Sequence, residues 1–234
     1  MGLTIHYELR IEKRRARAVV RDLVERAALY ARKIGCAEVG EVLPVEEDTP
    51  GTFLYVQLER HGERSVRSIP ATRGWVVDVW PGEGCENALF GLCQYPSRTP
   101  HVPFDAYTGA GCGWIFKSHC KTQYANEHGW PHFLRCHKTI VSILDFWRRL
   151  GVTVKVNDDG EYWQTRSADQ LRAKLTSYDG LIAAVAGAFK DAVGETGNGY
   201  SVESPIFART DFEKLEAEGW QEFGSQVSQL SRLS

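Results

Sequence analysis

Between Cys112 and His137 the stretch CGWIFKSHCKTQYANEHGWPHFLRCH gathers three of the chain's six cysteines and four of its seven histidines. Residues of these types suit three chemistries. The first is metal binding. His132 and Cys136 are four apart and share one face of a helix, and Cys120, His119, His128 or His137 would complete a tetrahedral set of nitrogen and sulfur ligands. Such a protein would be a zinc hydrolase or a structural zinc protein. Against it, the chain holds no Cys-x-x-Cys and no His-Glu-x-x-His.

The second is a nucleophilic thiol, which needs a base or a positive environment to become a thiolate. Adjacent helical residues point about 100° apart, so His137 does not serve Cys136. A Cys120 on a facing strand would make the Cys-His pair instead. Cys85, in Gly82-Glu83-Gly84-Cys85-Glu86-Asn87, and Cys112, between glycines, lie on tight turns, and neither fits a nucleophile elbow. Each is weighed against the commoner role of cysteine as a small core residue.

The third, and the leading expectation, is a pocket for an anionic small molecule near residues 114–137. Lys121, Gln123, Arg135 and His137 would converge there with free amides at the start of a helix near Pro131. Arg135 lies where the helix dipole disfavours a cation, so it asks for a negative partner; a surface ion pair with Glu127 or Asp145 is the plainer outcome. No pattern names a cofactor, and none decides whether the protein is an enzyme.

The elements that must hold these residues follow from periodicity. Over residues 3–11, Leu3, Ile5, Tyr7, Leu9 and Ile11 alternate with Thr4, His6, Glu8 and Arg10, which predicts a half-buried strand. Ala16, Val20, Leu23, Ala27, Tyr30 and Ile34 then recur at three and four and predict a helix ending near Gly35. Lys13, Arg14, Arg15 and Arg17 crowd its positive end, and they read as a solvated face, with a nucleic-acid or protein interaction module working through Arg10 to Arg21 as the rival. Residues 38–45, 53–58, 74–80 and 88–95 read as strands, the polar run 59–73 as an exposed loop or seam, and 97–113 as a long irregular connection.

Residues 114–124 return to alternation. Trp114, Phe116, Ser118, Cys120 and Thr122 fall on one side, and Ile115, Lys117, His119, Lys121 and Gln123 on the other. If the first row meets the helices, the second stands on an open sheet face with His6, Glu8 and Arg10. Phe133, His137, Ile140, Leu144 and Trp147 stripe a helix over 131–150, and a short strand follows at 152–156. A second long helix over 167–193 carries Leu171, Leu175, Tyr178, Ile182, Val185 and Phe189, capped by Ser167 and Gln170. Residues 200–207 read as an edge strand. The sum is an α+β fold: a two-layer sandwich with a mainly antiparallel sheet and long helices packed on one face, in two strand-helix-strand halves around 3–45 and 114–156. The expected organisation is one domain over 1–207, with a possible seam at 59–73, then a C-terminal helix and frayed tail over 208–234.

The segments Cys120-Lys121-Thr122-Gln123-Tyr124-Ala125 and Phe133-Leu134-Arg135-Cys136-His137 resemble a pattern of an uncharacterised bacterial protein family. The resemblance implies no activity and no ligand.

Bulk properties bound the rest. With 234 residues, 25% charged and 43% hydrophobic, the chain is ordinary globular material, and its net charge of -2 argues against a protein that coats nucleic acid. Charged residues near the amino terminus stand where an export signal needs apolar ones, and the longest apolar run is far short of a membrane span. A cytoplasmic protein with cysteines as thiols is expected; its oligomeric state is not legible.

Overall fold

The computed structural model describes residues 3–230 apart from 13–14, 47–48, 61–62, 101–104, 197–204 and 209. Strand β1, Thr4–Ile11, buries Ile5, Tyr7 and Leu9 and exposes His6, as its alternation requires. Helix α1, Arg17–Lys33, follows and buries Val20, Val24, Ala27, Ala28 and Ala31. Its amino end carries no side-chain cap and no acidic residue, while Arg17 and Arg21 lie over the Trp75 ring. Lys13 and Arg14 fall outside the described residues.

Short strands β2 (Glu38–Val39) and β3 (Leu43–Val45) lead to the hairpin β4 (Leu54–Arg60) and β5 (Glu63–Ile69). The polar run at 59–73, expected as a loop or seam, carries the end of β4 and all of β5 among its described residues. Residues 64–68 are exposed strand, so no apolar alternation marks them. Strands β6 (Arg73–Trp80) and β7 (Ala88–Gln94) flank a tight loop; β8 (Arg98–Thr99) and β9 (Ala106–Tyr107) pair with each other; β10 spans Trp114–Lys121. A 3-10 turn, Gln123–His128, leads into α2, Trp130–Arg149, and β11 is Thr153–Asp158.

Among the described residues the main sheet runs β11-β1-β10-β7-β6-β2, with β3 also on β6, and every pairing is antiparallel. The fold class is α+β. Helices α1 and α2 lie against one sheet face, where Ile5, Tyr7, Leu9, Trp114, Phe116 and Cys120 are buried; His6, Lys117, His119 and Lys155 are exposed on the other. The strand-helix-strand units interleave instead of lying side by side, because β1 inserts between β10 and β11.

Two compact units divide the chain, Thr4–Asp159 and Gly160–Ser234 with Met1–Leu3, so the boundary falls at the turn after β11. In the second unit α3 (Tyr162–Thr165) precedes α4 (Ala168–Thr196) and α5 (Phe212–Leu230). The Gln170 amide donates to Ser167 Oγ at 3.2 Å, which is the expected cap. The large-residue stripe of α4 holds at its start, where Leu171 and Leu175 are buried, and fails further on: Phe189 is 62% exposed and Val185 37%. Gly180, Ala183, Ala184 and Gly187 are buried instead. The cause is close helix approach, since a Cβ on Gly219 of α5 would meet Gly180 O at 2.0 Å. Of the expected edge strand at 200–207, residues 200–204 lie outside the described residues and Pro205–Ala208 form a 3-10 turn, while α5 extends through most of the segment expected to fray.

Gly219→Ala should push α4 and α5 apart and cost about 1–3 kcal/mol, the usual range for overpacking. Amide hydrogen exchange in both helices should accelerate; unchanged exchange would mean that the helices do not touch at these glycines.

Candidate functional site

The end of β10, the 3-10 turn and the first turns of α2 meet on the covered side of the sheet. There His137 Nδ1 lies 2.9 Å from Thr122 Oγ1, and Nε2 lies 3.2 Å from Asp158 Oδ2. With the proton on Nε2, the ring donates to the carboxylate and accepts from the hydroxyl. Thr122 and His137 are 0% exposed and Asp158 3%. A hydroxyl, an imidazole and a carboxylate in sequence have the connectivity of a catalytic triad, yet all three are sealed from solvent. Their work is to join three elements. Cys120 is not the partner of His137: its Sγ lies 3.2 Å from Glu86 O, and burial pushes its thiol pKa up.

On the neighbouring face of α2, from His132 to Cys136, is a second polar cluster. Cys136 Sγ lies 3.5 Å from His132 Nε2 and 3.7 Å from Pro81 O. His132 Nε2 is also 2.9 Å from Glu83 O, and Arg135 Nη2 lies 3.2 Å from His132 Nδ1. Arg135 therefore donates to Nδ1, which leaves the Nε2 proton facing the carbonyl and the sulfur. The neighbouring Cys85 thiol, with His132, Arg135 and His128 behind it, outweighs burial and holds the Cys136 thiol below the ordinary thiol value. Cys85 is pushed far above the ordinary thiol range. Burial instead raises Cys36 to about 11 and Cys93 to about 12.

The loop bearing Cys85 is fastened to β10. Glu86 N donates to Lys121 O at 2.9 Å, and Lys121 N donates to Glu86 Oε2 at 3.2 Å. Gly84 adopts φ +74°, and a Cβ there would fall 2.5 Å from Tyr124 O, so no other residue permits this approach.

The open face of the sheet carries a cleft of about 590 Å³, floored by His6, Glu8, Lys117, His119, Lys155 and Asn157 and walled by Phe53 and Tyr55. Register sets the floor: Glu8 is opposite Lys117 on β10 and Lys155 on β11, and His6 is opposite His119 and Asn157. Glu8 accepts from Lys117 at 3.2 Å and Arg10 at 3.1 Å, with Lys155 at 3.8 Å. Burial alone would raise the Glu8 carboxyl, but the Lys117 and Arg10 cations outweigh it and hold the pKa below the usual value.

The four residues expected to form one anion pocket are thus engaged in different places. Lys121 Nζ lies 3.2 Å from Tyr124 Oη, Arg135 holds His132, Gln123 is buried in the 3-10 turn, and His137 is sealed on the covered side. Strand alternation separates them, because Lys121 projects from the open face and His137 packs against the other. Lys117 and His119, further back on the same strand, line the cleft. His132 and Cys136 share a face as their spacing requires, but among the described residues no three His, Cys, Asp or Glu side chains are grouped to hold a metal. Sequence reasoning misses Lys155, Asn157 and Asp158; the alternation of 152–156 is visible, but its pairing with β1 is not. Among the described residues, no helix is long and apolar enough to cross a membrane. No protein-family model, curated protein or solved structure matches this chain.

Two measurements check these assignments. His137→Phe retains an aromatic ring beside Phe133 but removes both hydrogen bonds, and should cost about 2–4 kcal/mol in urea unfolding, as for a broken buried polar contact. A loss under about 0.5 kcal/mol, the size of a surface substitution, would refute the joining role. Thiolate absorbance should show a first step below the ordinary thiol value, rising with pH, that Cys136→Ser abolishes. A first step only at about 8.5, the ordinary thiol value, would refute the assignment of the thiolate to Cys136.

Proposed function

We propose that this protein binds an anionic small molecule in the open-face cleft, with Lys117 and Lys155 as the principal charge partners and His6, His119 and Asn157 as hydrogen-bonding groups. The observation that carries the reading is the charge balance at the floor. Three cations, Arg10, Lys117 and Lys155, converge on the single carboxylate of Glu8. Arg10 is shared with Glu12 at 3.8 Å and does not line the cleft, so the charge facing the cleft is that of Lys117 and Lys155, which Glu8 compensates only in part; a phosphate or carboxylate entering from solvent completes the compensation. Phe53 and Tyr55 supply an apolar wall, and Tyr55 is 67% exposed, which suits a ligand with a flat or apolar portion.

Glu8 also sets the resting state of the site. By holding Lys117 and Arg10 it keeps the cations ordered, at the cost of competing with the ligand. Because its folded pKa lies below the unfolded value of about 4.3, its stabilising contribution is complete above that pH and is lost as pH falls through the folded value.

A thermal-shift screen of phosphorylated and carboxylated metabolites should find stabilising compounds. Lys117→Ala with Lys155→Ala should weaken a hit by about tenfold or more, roughly 1.4 kcal/mol, whereas Glu8→Gln should strengthen it. If no compound stabilises the protein, or if the double substitution leaves the shift intact, the cleft is not the anion site. In the absence of ligand, Glu8→Gln should remove the part of the acid destabilisation that sets in below about pH 4.3; an unchanged pH profile would show that Glu8 is not held in its ionised form by these cations.

A further inference from the structure

A cavity separate from the open-face cleft lies at the end of the main sheet where four strand ends meet. Because neighbouring strands are antiparallel, the end of β1, the start of β10, the end of β7 and the start of β6 come side by side. Ile11 pairs with Trp114, Ile115 with Cys93, and Gln94 with Arg73. The segments leaving these ends enclose about 520 Å³, with Arg15, Arg73, Gln94, Ser97 and Cys112 in the lining, and no lining residue is shared with the cleft. Two guanidiniums line this cavity, and among the described residues no Asp or Glu does.

The surrounding cations are already occupied, whereas these two are not. Arg17 and Arg21 lie over the Trp75 ring, Arg21 donates to Glu25 at 2.7 Å, and Arg10 faces Glu12 at 3.8 Å. Among the described residues neither Arg15 nor Arg73 is in an ion pair. Arg73 donates from Nε to Gln94 Oε1 at 2.6 Å, which orients the guanidinium and leaves both of its Nη groups and the Gln94 amide nitrogen as donors. Uncompensated charge is therefore concentrated in a concave site instead of spread along α1, which suits a compact oxyanion better than an extended polyanion.

The backbone around the cavity is closely fitted. Arg10 Nη2 donates to Gly109 O at 3.3 Å, a Cβ on Gly113 would collide with Ile11 O, and one on Gly74 would fall 2.5 Å from Cys93 Sγ. A site held in this way loses little freedom when a ligand enters.

We propose that this cavity binds the phosphate group of a small phosphomonoester, held by the Arg15 and Arg73 guanidiniums with Gln94 and Ser97 as further donors. Guanidinium forks match phosphate oxygens in pairs, and two cations balance a dianion, where a carboxylate would need only one. The volume falls within the range of about 300–1,000 Å³ usual for small-molecule sites, so the organic part of the ester is accommodated as well.

Cys112 is exposed and lines the cavity, so its alkylation by neutral iodoacetamide reports occupancy in the full chain. The rate is read by peptide mass spectrometry in inorganic phosphate or glycerol phosphate, against sodium chloride of equal ionic strength. Both probes should slow Cys112 saturably while Cys36 reacts as before. Arg15→Gln and Arg73→Gln should each raise the half-protecting concentration about tenfold or more, as for a lost charge-assisted contact. Lys117→Ala with Lys155→Ala should leave it unchanged, which separates this site from the cleft. Arg15 makes no hydrogen bond or ion pair among the described residues, so Arg15→Gln remains informative even if Arg73→Gln does not fold. No protection by either probe, equal protection by chloride, protection that survives both arginine substitutions, or protection lost with the two lysines would each overturn the proposal. So would a single-stranded oligonucleotide that protects where both probes fail, because the surface would then be a nucleic-acid contact.

Discussion

The hydrogen-bonded chain Thr122, His137 and Asp158 is the contact on which the geometry of the first unit depends. It joins the end of β10, the second turn of α2 and the end of β11 at one buried point. Apolar packing alone would allow α2 to slide or rotate against the sheet, since many arrangements bury similar area. A buried imidazole with directional partners admits far fewer, because leaving either partner unsatisfied costs more than a neutral contact gains. The position of His137 then fixes that of its neighbours on the same helix. Cys136 and His132 are held against the loop after β6, and Arg135 is held beside His132.

The sheet separates two chemical environments built from the same strand. On the covered side β10 contributes Cys120 near the cluster of His132 and Cys136, and on the open side Lys117 and His119 near the carboxylate of Glu8. Their separation is a direct result of the two-residue period of a strand. Glu86 stands at the border: its amide and carboxylate hold Lys121, its carbonyl meets Cys120, and its carboxylate lies 3.8 Å from His119. One residue earlier is Cys85. The loop between β6 and β7 therefore reaches both environments through consecutive residues.

Local periodicity makes the supporting elements of the first unit legible. The stripe Phe133, His137, Ile140, Leu144 and Trp147 is buried throughout, and the alternation of β1 and β10 assigns the observed faces. The contents of the sites depend on information of another kind. Asp158 meets His137 only because β11 pairs with β1, and Pro81 meets Cys136 only because a distant loop folds over α2; neither relation leaves a mark on nearby residues. Strand β4 falls on the expected strand at 53–58, but its partner β5 is hidden because its exposed residues 64–68 have no apolar period. In α4 the stripe of large residues is buried at Leu171 and Leu175, but from Gly180 on the close approach of Gly219 selects the small ones.

The placement of β1 also governs the order in which the fold can be completed. Ile5 pairs with Cys120 on one side and Asp158 on the other, so the second strand to close on it ends more than 150 positions later. Contacts of such separation carry a large loop-closure entropy before they return any pairing energy, and they raise contact order. During synthesis β1 must therefore wait with both edges open until most of the unit has emerged. Its exposed row, His6, Glu8 and Arg10, places three polar, ionisable groups along the strand, which disfavours pairing with a second chain while it waits.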